Sequence, residues 1–258
     1  MGEAIEYTDG FVRLLEAIWG EGFLSPGGAE EVAEIVAPVP TEAAHILDIG
    51  TGAGMPASLL VTAHAAGHVT TVDIEAPVLA KAKSRFAAAG ISDRITGQLV
   101  VPGPLPFEDA SFDGVFSKDS IIQIRDKAAL FREAFRVLKP GGWIALSDWL
   151  RGSGEMSAEM HAYCFDGPLH FNLAMLDEEA ALLAEAGFAE VQTRDRGHWF
   201  AEQTAREVTA LDDGLRDALR AEVGVEAADA FDARTRLRAV VADQGQLRPG
   251  HLHARKPA

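Results

Sequence analysis

The chain has 258 residues, 48% of them hydrophobic and 24% charged, which suffices for one large α/β domain with its own core. Acidic residues outnumber basic ones by 39 to 23, and the formal charge of −16 disfavours binding to nucleic-acid phosphates. No apolar run reaches the roughly 18–20 residues of a membrane helix, and no signal peptide is evident. The single cysteine excludes an internal disulfide. We therefore expect a cytoplasmic protein without nucleic-acid or membrane partners.

The first two thirds of the chain begin with two predicted helices and then alternate between strands and helices. Apolar residues at helical spacing predict helices over Thr8–Trp19 and Ala29–Val36, separated by the Gly- and Pro-containing stretch Gly20–Gly28. Short apolar runs and longer amphipathic runs then follow one another. The predicted strands are His45–Gly50, His68–Ile74, Arg94–Val101, Phe112–Lys118 and Trp143–Trp149, and the predicted helices are Met55–Ala66, Ala76–Ala89 and Asp126–Leu138.

The alternation is interrupted after Trp149. Residues 150–176 show no clean period and are predicted to form a cap inserted after the fifth strand. The pattern then resumes, and the last strand is expected at the edge of the sheet. Strand–helix alternation predicts a Rossmann-like α/β fold, a mostly parallel seven-stranded sheet with helices on both faces and a helical cap, as one domain over residues 1–258. The remaining elements are predicted at Asp177–Ala186, Phe188–Asp195, Glu202–Val241 and Gly250–Lys256.

A glycine-rich turn, LDIGTGAG at Leu47–Gly54, is the strongest local motif. Gly50, Gly52 and Gly54 stand between a predicted strand and a predicted helix, where bare backbone and the helix N-terminus favour a nucleotide-like ligand. The dinucleotide fingerprint has a glycine at the position occupied here by Met55. The spacing therefore argues against a nicotinamide dehydrogenase.

A second motif is Asp73, at the end of the next predicted strand. A carboxylate about 20 residues beyond such a turn accepts hydrogen bonds from ribose hydroxyls. Together the two motifs resemble class I methyltransferases that use S-adenosylmethionine (SAM), and FDGVFSKD (Phe112–Asp119) and VLKPGGWIALSD (Val137–Asp148) are similar to that family's fourth and fifth strands. The resemblance implies SAM as cofactor, S-adenosylhomocysteine as product, and no metal.

The resemblance also implies roles for single residues. Asp48 would lie near the methionine end of SAM, Asp73 would hold the ribose, and Ile74 would pack on the adenine. Many members hold the adenine amine with an aspartate after the third strand, but the stretch Val100–Phe107 has none there. Adenine is then expected to be bound by backbone and apolar contacts. The predicted cofactor-binding residues are Leu24, Ser25, Asp48, Gly50, Gly52, Gly54, Asp73, Ile74 and Lys118.

Longer segments resemble the phosphoethanolamine N-methyltransferases, namely Glu6–Gly28, Phe116–Gly142 and, more weakly, Gln246–Lys256. This resemblance implies that residues 1–28 form an N-terminal lid in which Leu24 and Ser25 lie on SAM. It implies three residues at the reaction centre: Tyr7 closing over the acceptor, Asp119 contacting its amine, and Gln123 at the place of a histidine that pairs with the tyrosine. Asp119 is alternatively a cap of the following helix.

Two departures from that family predict a different acceptor. Gln123 cannot take a proton as histidine does, and Leu169 stands where an arginine would bind phosphate. We therefore expect a small-molecule acceptor without a phosphate. Aromatic side chains in and beside the cap are candidates for a wall around a methylated cation, and a basic residue near the C-terminus is a candidate for an anion. The predicted acceptor-binding residues are Trp149, Phe165, Phe171 and Arg238.

The leading hypothesis is N-methylation of a small amine. S-methylation of a thioether to a sulfonium is the first alternative, because a thioether has no proton to lose and Gln123 is no base. A SAM-binding protein without catalysis is a third hypothesis, which the intact acidic residues disfavour. His251 and His253 alternate on the last predicted strand and would face one side, but no third metal ligand accompanies them. The sequence does not predict an oligomeric state.

Overall fold

The computed structural model describes residues 7–166, 169 and 171–258 of the chain. Its strands form one sheet in the order β3-β2-β1-β4-β5-β7-β6, in which only β7 runs antiparallel to its neighbours. The mostly parallel, seven-stranded Rossmann-like sheet predicted from the sequence is thereby confirmed. The strands are β1 (His45–Ile49), β2 (His68–Asp73), β3 (Ile95–Leu99), β4 (Phe112–Lys118), β5 (Leu138–Arg151), β6 (Ala189–Asp195) and β7 (Leu247–Arg255).

Helices cover both faces of this sheet. None of the helices in the described ranges is long and apolar enough to cross a lipid bilayer. A short 3-10 turn, Ile121–Gln123, separates β4 from the next helix. The helices are α1 (Asp9–Trp19), α2 (Gly28–Val36), α3 (Met55–Thr62), α4 (Ala76–Ala88), α5 (Lys127–Val137), α6 (Ala158–Phe165), α7 (Leu176–Glu185), α8 (Gly197–Ala210), α9 (Arg216–Val223) and α10 (Val225–Asp243).

The core divides by sheet face. Apolar residues of α2, α3 and α4 pack on one face, and those of α5 and α7 on the other. Both faces of β1 and β4 are therefore covered, which is why nearly all residues of these strands are buried. A further layer at the end of the sheet combines α1 with α6 and α8–α10. The first six residues of the predicted lid, and residues 167, 168 and 170 of the predicted 150–176 cap, lie outside the described residues.

The prediction that the last strand lies at the sheet edge is wrong. β7 is inserted between β5 and β6 and pairs with both. The edge is β6, whose side chains are mostly polar and exposed, as suits a strand with one unpaired side. β7 is mostly buried and can serve as an internal strand.

Two element boundaries also differ from the predictions. The KPGG segment was expected to precede the fifth strand, but β5 already begins at Leu138 and includes it. The stretch predicted as one helix over Glu202–Val241 begins earlier, at Gly197, and is broken by a π-helical turn over Leu211–Leu215. Gly214 has φ of 118° inside that turn, a left-handed conformation that no regular helix contains.

Candidate active site

The glycine turn lies where the strand order reverses. β1 pairs with β2 on one side and with β4 on the other, and all three run parallel. In open α/β sheets, ligands bind in the crevice at the carboxyl ends of strands at such a point. The turn Gly50–Gly54 leaves β1 at this crevice and leads into α3.

Two glycines of the turn are required by close packing. A Cβ at Gly50 would lie 2.3 Å from the Cβ of Ser120, whose hydroxyl donates to the Gly50 carbonyl over 2.8 Å. A Cβ at Gly54 would lie 2.9 Å from Ala82 in α4. Both glycines also have positive φ, 79° and 93°. The turn thus brings β1, β4 and α4 close together.

Asp73 lies at the end of β2 and contacts the glycine turn. The amide of Gly52 donates to its Oδ2 over 3.0 Å, and the amide of Glu75 donates to its Oδ1 over 2.9 Å. Burial raises the pKa of Asp73, and the backbone amides partly offset this effect. Each oxygen keeps a further lone pair, so the carboxylate can accept hydrogen bonds from a pair of hydroxyls.

An exposed apolar surface adjoins Asp73. Ile74, Leu99 and Val101 are 55%, 51% and 80% exposed, although most large apolar side chains in the described structure are buried. They follow the carboxyl ends of β2 and β3, on the side where the resemblance places the adenine. A flat heterocycle lying there would cover side chains that otherwise face water.

Asp48 is a buried carboxylate in β1, 1% exposed. The Thr71 hydroxyl donates to its Oδ2 over 2.7 Å. Among the residues that the structure describes, no lysine or arginine forms an ion pair with it. Burial raises the pKa of Asp48 to about 7. The group is therefore placed to gain from a cation delivered by a ligand.

These features fit SAM. A nucleoside could be bound by the backbone of Gly50–Gly54, the Asp73 carboxylate and the exposed apolar side chains. The Asp48 carboxylate could pair with the cationic methionine end. The geometry thus brings together most of the predicted cofactor-binding residues. Their individual roles remain predictions.

The segment before α2 lies over the glycine turn. A Cβ at Gly52 would approach Leu24 to 3.1 Å, so Leu24 covers the turn. The Lys118 ammonium donates to the Ser25 hydroxyl over 2.5 Å, to the Pro26 carbonyl over 2.8 Å and to Asp119 over 2.9 Å. Lys118, predicted as a cofactor ligand, therefore also fastens the N-terminal segment to the end of β4.

Asp119 has both carboxylate oxygens engaged inside the protein. Its Oδ2 accepts from Lys118 and its Oδ1 accepts from the Ser147 hydroxyl over 2.6 Å. Its φ is 54°, a left-handed conformation at the end of β4. Asp126, not Asp119, caps the following helix α5. The alternative reading of Asp119 as a helix cap is wrong, and an acceptor amine there would meet an ion pair instead of a lone carboxylate.

Gln123 and Tyr7 are the two other residues predicted at the reaction centre. Gln123 ends the 3-10 turn after Asp119, and this turn is held by the Lys127 ammonium on the Ile121 carbonyl at 2.9 Å. Tyr7 lies with its ring centroid 5.8 Å from that of Phe11. Tyr7 also packs against the aromatic residues described next.

An aromatic cluster forms around Trp149. We call Trp19, Trp149, Tyr163, Phe171 and Phe200 the acceptor cluster. The Trp149 ring is 5% exposed and lies 6.5, 6.2 and 5.2 Å from the rings of Trp19, Phe171 and Phe200. The Tyr163 ring lies 5.6 Å from that of Phe171. Two of the three predicted aromatic residues, Trp149 and Phe171, are thus brought together.

Phe165, the third predicted aromatic residue, does not join them. It is 43% exposed at the end of α6, and its ring lies 4.8 Å from His161. Tyr163, two residues earlier on the same helix, faces inward in its place. The turn of α6 thus separates Phe165 from the other two predicted aromatic residues, and its role at the acceptor stays a prediction.

Arg238 is placed differently from the prediction of a free anion-binding residue. It is 4% exposed and forms a buried ion pair with Glu207 of α8. Its guanidinium lies 5.0 Å from the ring of Trp19, whose Nε1 donates to Glu207 over 2.7 Å. Its charge is thus already neutralised by a neighbouring carboxylate.

Five residues around this site were missed from the sequence: Trp19, Tyr163, Phe200, Glu207 and Arg234. For Arg234 a signal existed, because residues four apart on a helix share a face and Arg238 was already a candidate. The others carry no local motif. Trp19 and Glu207, for instance, are 188 positions apart.

The two histidines of β7 face α2, as predicted for alternate residues of one strand. The His251 Nε2 lies 2.6 Å from a Glu31 oxygen, and the His253 Nε2 lies 2.7 Å from the Ile35 carbonyl. No cluster of three or more metal-binding side chains occurs in the described ranges.

Comparison with known proteins agrees with this geometry. A family model described as a methyltransferase domain matches residues 47–146, which include the glycine turn and Asp73. A 27-O-demethylrifamycin SV methyltransferase of Amycolatopsis mediterranei is 32% identical, over 72% of this chain and 74% of the relative. Phosphoethanolamine N-methyltransferase 1 of Arabidopsis thaliana is 30% identical, over 81% of this chain and 42% of the relative.

A solved structure is similar along nearly the whole chain. Phosphoethanolamine N-methyltransferase 2 of Haemonchus contortus, in complex with SAM, superposes with a TM-score of 0.89 at 27% identity, over 98% of this chain and 58% of that chain. The chain therefore spans less than half of the Arabidopsis relative and under two thirds of the Haemonchus one. The matched domain, the relatives and the SAM-compatible crevice together establish that the chain belongs to the family of SAM-dependent methyltransferases.

Proposed function

We propose that this methyltransferase transfers the methyl group of SAM to the nitrogen of a small amine that carries no phosphate. The observation that carries the proposal is the continuity between the Asp119 ion pair and the acceptor cluster. Ser147 and Trp149 lie on the same face of β5, because side chains alternate along a strand. Ser147 donates to Asp119, and Trp149 follows about 7 Å further along the strand. A buried carboxylate and an aromatic cluster therefore lie next to each other along β5, as suits an amine that becomes a methylated cation.

The residues of the chain would act by binding, orientation and exclusion of water. Bound SAM supplies a methyl group activated on a sulfonium. The glycine turn and Asp73 would hold the nucleoside, while Leu24 and Ser25 would close the crevice from the N-terminal side. Asp119 would orient the acceptor nitrogen, and the cluster rings would stabilise the charge that develops on it. Most of the acceleration would come from alignment of the two reactants.

Gln123 does not supply a general base for deprotonation of the amine. Gln123 orients a neighbour by hydrogen bonding but does not accept a proton at neutral pH. The acceptor would therefore enter as the neutral amine, with its proton lost to solvent before the lid closes.

S-methylation of a small thioether is a second candidate, and the same observation at Gln123 favours it. A thioether has no proton to lose, and its sulfonium product would be stabilised by the same aromatic rings. In either case Leu169, 8% exposed within the apolar surroundings of Trp149, offers no charge to a phosphate.

The test is mass spectrometry of products formed from isotopically labelled SAM and a panel of amines, thioethers, hydroxyl compounds and phosphoethanolamine. We expect the label on nitrogen of a non-phosphorylated amine, strongly reduced in Asp119→Asn and retained or raised in Gln123→His. Label on sulfur would favour the second candidate. Label only on oxygen, or only on phosphoethanolamine, would contradict the proposal.

A further inference from the structure

Arg234 is a cation beside the acceptor cluster that forms no direct ion pair within the described residues, although the Asp166 carboxylate acts on it through space. Its guanidinium lies 4.4 Å from the Tyr163 ring centroid and 5.7 Å from that of Phe171. Its Nη2 donates to the Tyr163 carbonyl over 2.6 Å. Among the residues that the structure describes, no carboxylate forms an ion pair with it, whereas Arg236, two residues further on α10, pairs with Asp212 and Asp232.

Arg238 lies one helical turn away on the same face of α10. Its charge is balanced by Glu207. Among the two arginines and Glu207, one positive charge is therefore not matched by a direct ion pair next to the aromatic rings. Arginine does not lose its proton in proteins, so this excess cannot be removed by titration.

Within the described structure, buried polar atoms without a hydrogen-bond partner occur in the acceptor cluster and on α10. They are the Nε1 of Trp149, the Nε of Arg238 and the hydroxyl of Thr235, which lies between the two arginines on α10. All three side chains are at least nine-tenths buried. Such donors are rare in folded proteins, and their occurrence near an arginine that forms no direct ion pair favours an anionic acceptor of hydrogen bonds.

We propose that Arg234, together with Arg238, binds a carboxylate of the methyl acceptor, so that the acceptor is an amino carboxylic acid. This inference rests on the proposed function and names its substrate class. The amine would lie toward Asp119 and Trp149, and the carboxylate toward α10. The one charge without a direct ion pair favours a monoanion, because a dianionic phosphate would bring a second, uncompensated charge into an apolar pocket.

The test measures binding and turnover of glycine, β-alanine, ethanolamine and phosphoethanolamine. Calorimetry on the complex with S-adenosylhomocysteine reports binding even where no methyl is transferred. We expect at least one amino carboxylate to bind at least about tenfold more tightly than ethanolamine and phosphoethanolamine. Ethanolamine has no anion to pair with arginine, and the dianionic phosphate of phosphoethanolamine would bring a second charge into apolar surroundings.

Variants locate the effect. Arg234→Gln should raise the KM of the amino carboxylate about tenfold or more while leaving the Kd of SAM and the KM of ethanolamine within about twofold. Arg234→Lys keeps the charge, and its KM for the amino carboxylate should lie between those of the wild type and Arg234→Gln. It replaces Arg234→Gln in the test if that variant does not fold. Arg236→Gln, on the same helix but paired at the surface, is the matched control and should change neither constant.

The outcomes separate this inference from the proposed function. A folded Arg234 variant with unchanged KM, a preference for phosphoethanolamine, or no binding of any amino or thioether carboxylate would overturn the inference. Transfer to a thioether carboxylate, with its KM raised by Arg234→Gln, would refute N-methylation yet leave the carboxylate site standing.

Discussion

Two clusters of buried charge lie on opposite faces of β5, and they differ in the sign of their excess. On one face, Lys127 forms ion pairs with both Asp148 and Glu179, all of them at most 3% exposed. On the other face, the α10 cluster combines two arginines, Arg234 and Arg238, with one glutamate, Glu207. The first cluster has one more acidic side chain than basic side chains, and the second has one more basic side chain than acidic side chains.

The difference shows that a protein can remove a buried excess charge by binding a proton, or can leave that charge to be neutralised by a ligand. Burial and the neighbouring Glu179 raise the pKa of Asp148 well above its usual value, so the first cluster removes its excess by keeping a proton. The second cannot do so, because arginine stays protonated. An excess of negative charge is thus removed inside the fold by protonation of a carboxylate. An excess of positive charge on arginine is not removed in this way, so a ligand could neutralise it.

The largest expected effect comes from breaking the acidic cluster. Lys127→Met leaves two buried carboxylates without a cation and releases the 3-10 turn, so we expect a loss of about 3–5 kcal/mol in the free energy of unfolding at pH 7. The loss should shrink as the pH falls, because carboxylates whose pKa is raised by folding stabilise the native state only while they are protonated.

Urea denaturation between pH 5 and pH 8 measures this loss. Lys139→Met is the matched control, since Lys139 pairs with Asp113 at a side-chain exposure of 44% and should change stability by less than about 1 kcal/mol. Equal losses for the two variants would contradict the distinction between closed and exposed charge.

The next effect concerns the cofactor half of the site. Asp73→Ala should weaken SAM binding by about 1–3 kcal/mol, because it removes the acceptor of the ribose hydroxyls and leaves the Gly52 amide without its partner. Calorimetry with SAM measures it, with the exposed Asp93→Ala as control. Unchanged affinity in a folded variant would refute the assignment.

A change of selectivity should follow from increasing the excess of the α10 cluster. Glu207→Gln removes the counter-charge of Arg238 yet keeps an oxygen for the Trp19 Nε1, so the net charge rises by one. We expect the ratio of kcat/KM for phosphoethanolamine to that for an amino carboxylate to rise about tenfold. Glu202→Gln, at the surface of the same helix, is the control. An unchanged ratio would mean that this charge does not face the acceptor.

The smallest effect is a pH dependence of SAM binding through Asp48. Its pKa of about 7 means that the free protein holds this carboxyl partly protonated near neutrality. If the ionised form meets the cationic end of SAM, affinity should fall about fourfold from pH 8 to pH 6.5. Calorimetry in two buffers would also detect the released proton. Asp48→Asn should abolish the dependence, and a dependence that persists in that variant belongs to another group.

The same pKa has the opposite consequence for the protein without ligand. A carboxyl group whose pKa is raised by folding contributes fully to stability when the pH is below its pKa in the unfolded chain, near 4. This contribution is lost as the pH rises past about 7, its pKa in the folded protein. SAM should therefore stabilise the protein against unfolding more at pH 8 than at pH 6.

The cofactor half of the site was predictable from the sequence. Asp48, the glycine turn and Asp73 fall within 26 consecutive residues, numbered 48–73, of one strand–turn–helix–strand unit. Local rules connect such residues: a parallel strand delivers its last side chains to one edge of the sheet, and glycine permits the turn. Most strands and helices were predictable for the same reason, since burial on one or both faces imposes the apolar period along each element.

The acceptor half was decided by the tertiary structure. Its cluster joins Trp19 of α1, Trp149 of β5, Tyr163 of α6 and Phe200 of α8, and its charges come from α8 and α10. The place of β7 between β5 and β6 likewise depends on long-range pairing. Neither the period of a helix nor its caps specify which distant helix it meets, so they could not show that Glu207 forms an ion pair with Arg238. The sequence by itself determined the strand–turn–helix–strand unit that is typical of SAM binding, whereas only the packing of distant helices decided which buried charges form ion pairs.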